Sequence, residues 1–352
     1  MPETREHLLP GVPLALVSAI LFGATPPLSK LLLASVDPLM LAGLLYLGAG
    51  AGLAVYAAAR RSSEQAEADA PLRRADLPWL AGAVFMGGIL GPVLLVYGLS
   101  LTSASNGALL LNLEGLATMG IAWVVFRENV DRRLLLGAAA ILAGAVLLSW
   151  QGQGVAFDLG AALVAGACLA WGIDNNLTRR ISAADPVMIA MIKGLIAGAV
   201  NVALALANGA AVPPLSTVLA IAIVGLFGIG ISLVLFVRAL RHLGTARTGA
   251  YYSLAPFIGA VLAILLLSEP ITLRLIGAAA LMGLGLYLHL TERHSHEHVH
   301  AAMEHEHSHM HDEHHRHEHD GPVTEPHSHW HRHAPMRHTH VHYPDLHHQH
   351  RH

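Results

Sequence analysis

"AILFGATPPLSKLLLASVDP", residues 19–38, lines up with "ACLAWGIDNNLTRRISAADP", residues 167–186, at an offset of 149 that becomes 148 after one gap. Gly23 meets Gly172, Leu28 meets Leu177, Lys30 meets Arg179, and Asp37-Pro38 meets Asp185-Pro186. A second pair repeats the match: "ENVDRRLLLGAAA", ending at Ala140, against "EPITLRLIGAAA", ending at Ala280, with Glu128 opposite Glu269. Apolar, Gly- and Ala-rich stretches resemble one another by composition. Shared Asp-Pro and Glu positions at consistent offsets go beyond composition and point to an internal duplication.

The duplicated unit is a set of membrane crossings. A bilayer core takes about 20 mostly apolar residues per helix. Runs of that order recur near 11–33, 38–59, 77–99, 105–126, 133–150, 157–178, 186–207, 216–238, 247–267 and 271–290. These are ten helices, five per copy. The first run has no basic segment before it and no cleavage site after it, which sets it apart from a signal peptide. Because five is odd, the two copies must lie upside down relative to each other. That is the inverted-repeat plan of secondary transporters, with a substrate site near the midplane where the halves meet. The expected fold is an all-α polytopic membrane protein. It has one five-helix repeat over 11–150, a second over 157–290, and a disordered His-rich tail over 292–352.

Loop charges set the orientation. With the N-terminus in the cytoplasm, the inside loops carry Arg60, Arg61, Arg73, Arg74, Arg127, Arg132, Arg133, Arg179, Arg180, Arg238, Arg241 and Arg247. The opposite face offers Lys30 and Arg274. Twelve against two is a positive-inside bias. It predicts a multi-pass protein of the cytoplasmic (inner) membrane with both termini in the cytosol. Its partner is the lipid bilayer; short Arg clusters between apolar runs give no reason to expect nucleic acid, and a homodimer is left open.

Ten helices in two five-helix halves, the Gly23 and Gly172 segments, and the acidic Glu128 and Glu269 before the last helix of each half resemble the EamA family of the drug/metabolite transporter superfamily. The resemblance covers roughly residues 11–290. It implies a transporter of amino acids, other metabolites, toxic compounds or metal ions, often outward, rather than an enzyme. There is no GxxxxGK[ST] loop to suggest ATP as the driving force.

Ionisable residues inside a membrane are costly, so each calls for a partner or a task. Glu114, in "LLLNLEGLATMG", falls near the middle of the fourth helix, with Thr118 on the same face. A desolvated carboxylate there is a candidate proton carrier; the competing reading is a hydrogen-bonded structural Glu. In the second half the matching residue is Pro256. Asp174 and Lys193, on antiparallel neighbouring helices, differ in depth by about 3 Å at the helical rise, so a salt bridge is natural, for neutralisation or for a role in the path. Pro26-Pro27 fall opposite Asn175-Asn176. Prolines open a helix and Asn side chains compete for backbone bonds, which predicts symmetric helix breaks, with a simple kink as the alternative. Among aromatics, Tyr97, Trp171, Tyr251 and Tyr252 lie on helices that line the cavity in the resembled family, and Tyr252 shares a face with Pro256.

The last 59 residues hold 23 of the 26 histidines. They recur as His-x-His: His294, His296, His298, His300; His305, His307, His309, His311; then His314, His315, His317, His319 and His327, His329, His331, His333. In an extended chain alternate residues face one way, so successive imidazoles can converge on one ion. Neutral imidazole suits zinc, nickel, cobalt and copper, and composition does not choose among them. The single Cys168 excludes a Cys-based zinc site, and no resident cofactor is required. The membrane part is poor in metal ligands. The expected activity is therefore efflux of a small polar metabolite or metal complex, with a metal-binding tail. A nickel, cobalt or zinc permease fed by the tail is the first alternative, and a membrane-anchored metal buffer without transport is the second.

Overall fold

The structure, a computed structural model, describes residues 11–60, 72–126, 132–150, 158–181, 184–290, 295–300, 303–309, 327–333 and 336–341. Glu128, the loop residues Arg61 and Arg127, and His294, His311, His314, His315, His317 and His319 lie outside the described residues.

The chain forms α1 (Gly11–Leu32), α2 (Pro38–Arg60), α3 (Leu77–Ala83), a π-helical turn (Val84–Leu90), α4 (Gly91–Leu101), α5 (Ala104–Leu110), α6 (Leu113–Phe126) and α7 (Arg132–Ser149). The second half supplies α8 (Leu159–Arg179), α9 (Pro186–Ala207), α10 (Leu215–Gly225), a second π turn (Leu226–Ile231), α11 (Ser232–Tyr252), α12 (Ala255–Leu267) and α13 (Leu273–Leu290). The repeated Asp-Pro now has a cause. Asp185 accepts from the Val187 N–H at 2.8 Å, and Asp37 from Leu39 at 2.9 Å and Met40 at 3.1 Å. Each carboxylate caps the second helix of its half, and the proline occupies the first turn, where a missing N–H costs nothing.

Among the described residues, eight helical segments are long and apolar enough to cross a membrane. They cover eight of the ten runs expected. The other two are also helical, but α8 ends in Asp174, Asn175, Asn176 and Arg179, and α12 has 13 residues. The eighth and ninth runs share the helical stretch α11. The rings of Phe236 and Tyr252 nonetheless pack 4.8 Å apart, whereas 16 residues of straight helix would separate them by about 24 Å. The chain therefore doubles back between them. Leu265 and Val124, 70% and 73% exposed, belong to the apolar belt that a bilayer would cover.

The two halves interdigitate. The helix α1 packs on α11 and α12, α8 on α4 and α6, α2 on α9, and α7 on α13. Every one of these pairs joins one half to the other. Gly23 and Gly172, the glycines of the duplicated segment, explain how closely. A methyl on Gly23 would meet the Ala255 carbonyl at 2.5 Å, and one on Gly172 would meet Ala117 Cβ at 2.7 Å. Small residues at these crossings let backbones touch where no hydrophobic drive separates helix from lipid.

The helix breaks are not where the sequence placed them. The helices α1 and α8 run unbroken through Pro26-Pro27 and Asn175-Asn176. In α1, Pro27 leaves the Gly23 carbonyl without its helical donor, and the Gly259 Cα lies against that carbonyl. The breaks fall instead in the fourth and ninth runs, at Leu111-Asn112 and Ser253-Leu254, 142 residues apart, as Glu114 and Pro256 are. Here a side chain competes for the last carbonyls: Asn112 Nδ2 donates to Leu109 O at 2.8 Å, and Ser253 Oγ to Gly249 O at 2.7 Å.

The tail also departs from the disorder expected. Strand β1 (Ser295–His300) pairs antiparallel with β4 (Met336–Val341), and β2 (Met303–His309) with β3 (His327–His333). A His-x-His sequence has the period of two that a strand needs, which favours pairing even where little apolar surface is available.

Candidate functional site

The break at Leu111-Asn112 moves Glu114 from the middle of a helix to the first turn of α6. There it meets α8. Asn175 Nδ2 donates to Glu114 Oε1 at 3.0 Å and to Thr118 Oγ1 at 3.1 Å, and Thr118 Oγ1 donates back to the Glu114 carbonyl at 2.9 Å. One residue on, Asn176 Nδ2 holds the Thr118 carbonyl at 3.1 Å and its own Gly172 carbonyl at 2.8 Å. Asn176 is buried, whereas Asn175 is exposed and Glu114 is half-buried. The pair Asn175-Asn176 thus does two jobs: one amide pins α8 to α6, and the other presents the Glu114 carboxylate.

The expected ion pair is present beside it. Lys193 Nζ lies 2.5 Å from Asp174 Oδ2, and Thr178 Oγ1 donates to Asp174 Oδ1 at 3.0 Å. Both carboxylate oxygens of Asp174 are therefore occupied. At the helical rise, Asp174 lies about 8 Å from Arg179 and Lys193 about 10 Å from Pro186, so the polar centre sits towards the Arg-rich end of the bundle.

The wall behind the pair comes from the first π turn, which the sequence reading missed. Gly87 O accepts from Tyr46 Oη at 2.9 Å and from Trp171 Nε1 at 2.9 Å. A methyl on Gly87 would overlap the Asp174 carboxylate. A π turn shifts the register of the backbone bonds and leaves carbonyls for other donors, and no apolar periodicity announces it. Tyr46 carried no signal beyond a hydroxyl in an apolar run. Buried Asn201 reaches Gly88 O at 3.4 Å, and its Oδ1 has no partner.

The remaining candidates divide. Tyr252 stacks near Phe22 at 5.4 Å and Phe236 at 4.8 Å, within electrostatic reach of Glu114. Pro256 starts α12 after the second break, on the opposite interface between halves, as do Pro26 and Pro27 through α1. Tyr97 does not join the centre: it lies near the far end of α4, 38% exposed, its carbonyl taken by Ser100 Oγ at 2.7 Å. A groove of about 500 Å³ between α6, α7 and α8, lined by Leu113, Trp123, Leu135 and Leu142, is apolar and suits lipid rather than a polar solute.

At the other end of the bundle a single turn, between α4 and α5, is gripped from three elements. Lys30 Nζ donates to the carbonyls of Leu99, Ser100 and Thr102, the last at 2.8 Å. Glu269, from the connection before α13, accepts the N–H groups of Ala104 at 2.7 Å and Ser105 at 2.9 Å. Asp158, the cap of α8, accepts from Thr102 Oγ1 at 3.2 Å. A cation meets carbonyls at a helix end and an anion meets N–H groups at a helix start, each where the backbone is unsatisfied. Among the described residues no three His, Cys, Asp or Glu gather as a metal cluster.

Comparison with known proteins gives three results. An uncharacterized transporter of Methanothermobacter thermautotrophicus is 28% identical over 273 residues, covering 73% of this chain and 79% of that protein. A protein of known crystal structure, 20% identical, superposes with a TM-score of 0.59 over 78% of this chain and 95% of its own, and shows the fold alone. The model of the EamA-like transporter family matches residues 9–150 and again 158–291. Two full matches, one per repeat, place this chain in the EamA-like transporter family, as a multi-pass membrane transporter.

Proposed function

We propose that the protein is a secondary transporter exporting a small polar solute, free or complexed to a metal, across the cytoplasmic membrane. The observation that carries this is the Glu114–Asn175–Thr118 cluster. It is polar and partly open, and it is built across the α6–α8 contact where the two repeats meet. Ten crossings with both termini in the cytosol fit the positive-inside bias of the loops that carry Arg73, Arg74, Arg132, Arg133, Arg179 and Arg180. One carboxylate, one amide and one hydroxyl suit an organic solute better than a naked transition-metal ion.

The tail belongs to the proposal as a cytosolic binder of zinc, nickel, cobalt or copper. The backbone register supports it: His305 stands opposite His331, His307 opposite His329, and His309 opposite His327. His296 and His298 stand opposite His340 and His338.

Proteoliposomes carrying the full chain test transport. Glu114→Gln and Asn175→Ala are each expected to abolish uptake of the transported solute without loss of monodispersity. Full transport in both variants removes the site. Calorimetry with nickel or zinc on the full chain, against a chain ending at Leu290, tests the tail. Equal heats from the two remove the metal reading.

A further inference from the structure

The apolar groove between α6, α7 and α8 marks a difference between the two halves. Glu114 matches Pro256, so Gly115 matches Phe257 and Gly120 matches Leu262. In the second half the Phe257 ring reaches α13, where a methyl on Gly283 would meet it at 3.9 Å. The first half has no such side chain. A methyl on Gly115 or on Gly120 would find nothing within 4 Å among the described residues. The space left open is about 500 Å³, with Ala165 of α8 as its floor.

The length of the groove limits what can occupy it. On α6 its lining runs from Leu113 to Trp123, and on α7 from Leu135 to Leu142. Arg132 stands one turn before Leu135 on the same stripe of α7. Leu113 to Trp123, and Arg132 to Leu142, each span about 15 Å at the helical rise. A bilayer core is about 30 Å thick, so the groove has the depth of one leaflet. It opens at the membrane surface where α6 ends and α7 begins, and it stops at Leu113, just past the break. A partner's helix would cross both leaflets, whereas an acyl chain fills one.

The surface end supplies the other half of a lipid site. Trp123 is partly exposed there, and an indole at headgroup level is an interface anchor. Arg132 and Arg133 are exposed at the start of α7. The stretch "RENVDRR", residues 127–133, sets three Arg against Glu128 and Asp131, a net charge of +1. Basic side chains beside a gap between membrane helices attract anionic headgroups, and an arginine can hold a phosphate through two N–H groups.

We infer that the α6–α7 groove binds one anionic phospholipid, with its phosphate on Arg132 and Arg133 and one acyl chain running along Gly120 and Leu135. Trp123 lies two and a half turns from Glu114, so the lipid and the polar centre occupy opposite sides of α6. The inference goes beyond the transporter reading and holds whatever solute is moved. A bound chain braces the side of α6 that α8 leaves open.

The test is the melting temperature of the full chain in detergent, with dioleoyl phosphatidylglycerol or dioleoyl phosphatidylcholine added. The two lipids share their acyl chains and differ in headgroup charge. Phosphatidylglycerol at a hundredfold excess over its Kd should raise the melting point by about 5–10 °C, and phosphatidylcholine by less than half as much. Gly120→Leu puts into the groove the side chain that the second half carries, and should remove the response to both lipids. Arg132→Glu should remove the preference for phosphatidylglycerol, and this surface change tests the site even if Gly120→Leu does not fold. Equal shifts from the two lipids in the wild type, or a wild-type response in either folded variant, overturn the inference. An equal shift from inorganic phosphate alone overturns it too, since no chain is then needed. A dimer in light scattering that Gly120→Leu converts to monomer gives the groove to a second copy and overturns it as well.

Discussion

Glu269 gives the sharpest test of how the halves hold together. Its two oxygens accept the N–H groups of Ala104 and Ser105 at 2.7 and 2.9 Å, so a residue of the second half caps the start of α5 in the first. Hydrogen bonds to a charged group contribute about 1.5–3 kcal/mol each, but this turn lies at a bundle end where water can replace part of the loss. Glu269→Ala should therefore cost about 2–3 kcal/mol. Glu269→Gln keeps one acceptor oxygen and should cost about half as much. At about 2–4 °C per kcal/mol for a large domain, the alanine variant should melt roughly 5–10 °C lower. Size-exclusion recovery after heating the full chain in detergent reads this directly. Lys30 grips the same turn from α1 through the carbonyls of Leu99, Ser100 and Thr102. Once Glu269→Gln has loosened the turn, Lys30→Met should cost less than it does alone, because the two groups share one target. An unchanged melting point in Glu269→Ala, with unchanged amide exchange at Ala104 and Ser105, would refute the capping argument.

Further substitutions probe the polar centre. Asp174→Asn or Lys193→Met alone strands a buried charge and should cost about 3–5 kcal/mol, whereas the double variant should recover most of it. Transport by that double variant would assign the pair to scaffolding. Gly87→Ala places a methyl on the Asp174 carboxylate and should disturb both stability and transport, while Gly115→Ala, with open space around it, should leave both unchanged. Equal behaviour of the two alanine variants would remove Gly87 from the site. Asn201→Leu replaces a buried amide whose oxygen has no partner and whose N–H bond is long at 3.4 Å. It should be neutral or stabilising in a thermal melt, since the partner lost is weak, and a drop of more than about 2 kcal/mol would point to an ordered partner for Asn201 instead.

Much of the frame could be read before any coordinate. Apolar run length located the helices, and the duplicated Asp-Pro marked the start of the second helix in each half, because capping is a local interaction between neighbours in the chain. Helix breaks were misread for the opposite reason. Pro26 and Pro27 looked like breakers, but in a packed membrane helix a neighbouring backbone can answer the freed carbonyl, as Gly259 does for Gly23. The true breaks at Asn112 and Ser253 depend on side chains turning back onto Leu109 and Gly249, a choice made only once the surrounding helices fix the angle. Glu114 and Asn175 were separately visible as polar residues in apolar runs. Their meeting depends on how α6 and α8 cross, which no single segment encodes. The π turns left no trace in the apolar pattern, although both copies have one, at Val84 and at Leu226, 142 residues apart.

The duplication also explains why the site is single. Each half contributes an equivalent crossing, α8 against α6 and α1 against α12, with Gly172 and Gly23 at the matching contact points. At the first crossing the sequence places Asn175, Asn176 and Glu114. At the second, the same three repeat positions hold Pro26, Pro27 and Pro256. One crossing therefore has two amides and a carboxylate, and the other has three residues that cannot donate a backbone hydrogen bond and carry no polar side chain. An inverted pair needs matching geometry in its two halves to rock between two faces, and that is supplied by the glycines, caps and breaks they share. Chemistry is needed once, where a solute is held. The positions at which the repeats diverge are thus the ones to mutate first. Exchanging them, with Pro26→Asn, Pro27→Asn and Pro256→Glu in one half and the reverse changes in the other, should move the polar site across the pseudo-two-fold axis. If the doubly exchanged chain folds and its transport in proteoliposomes then depends on the new carboxylate at 256, the site follows these three positions. If transport is lost in a folded chain, the surrounding π turn with Gly87 and Tyr46 is equally part of it.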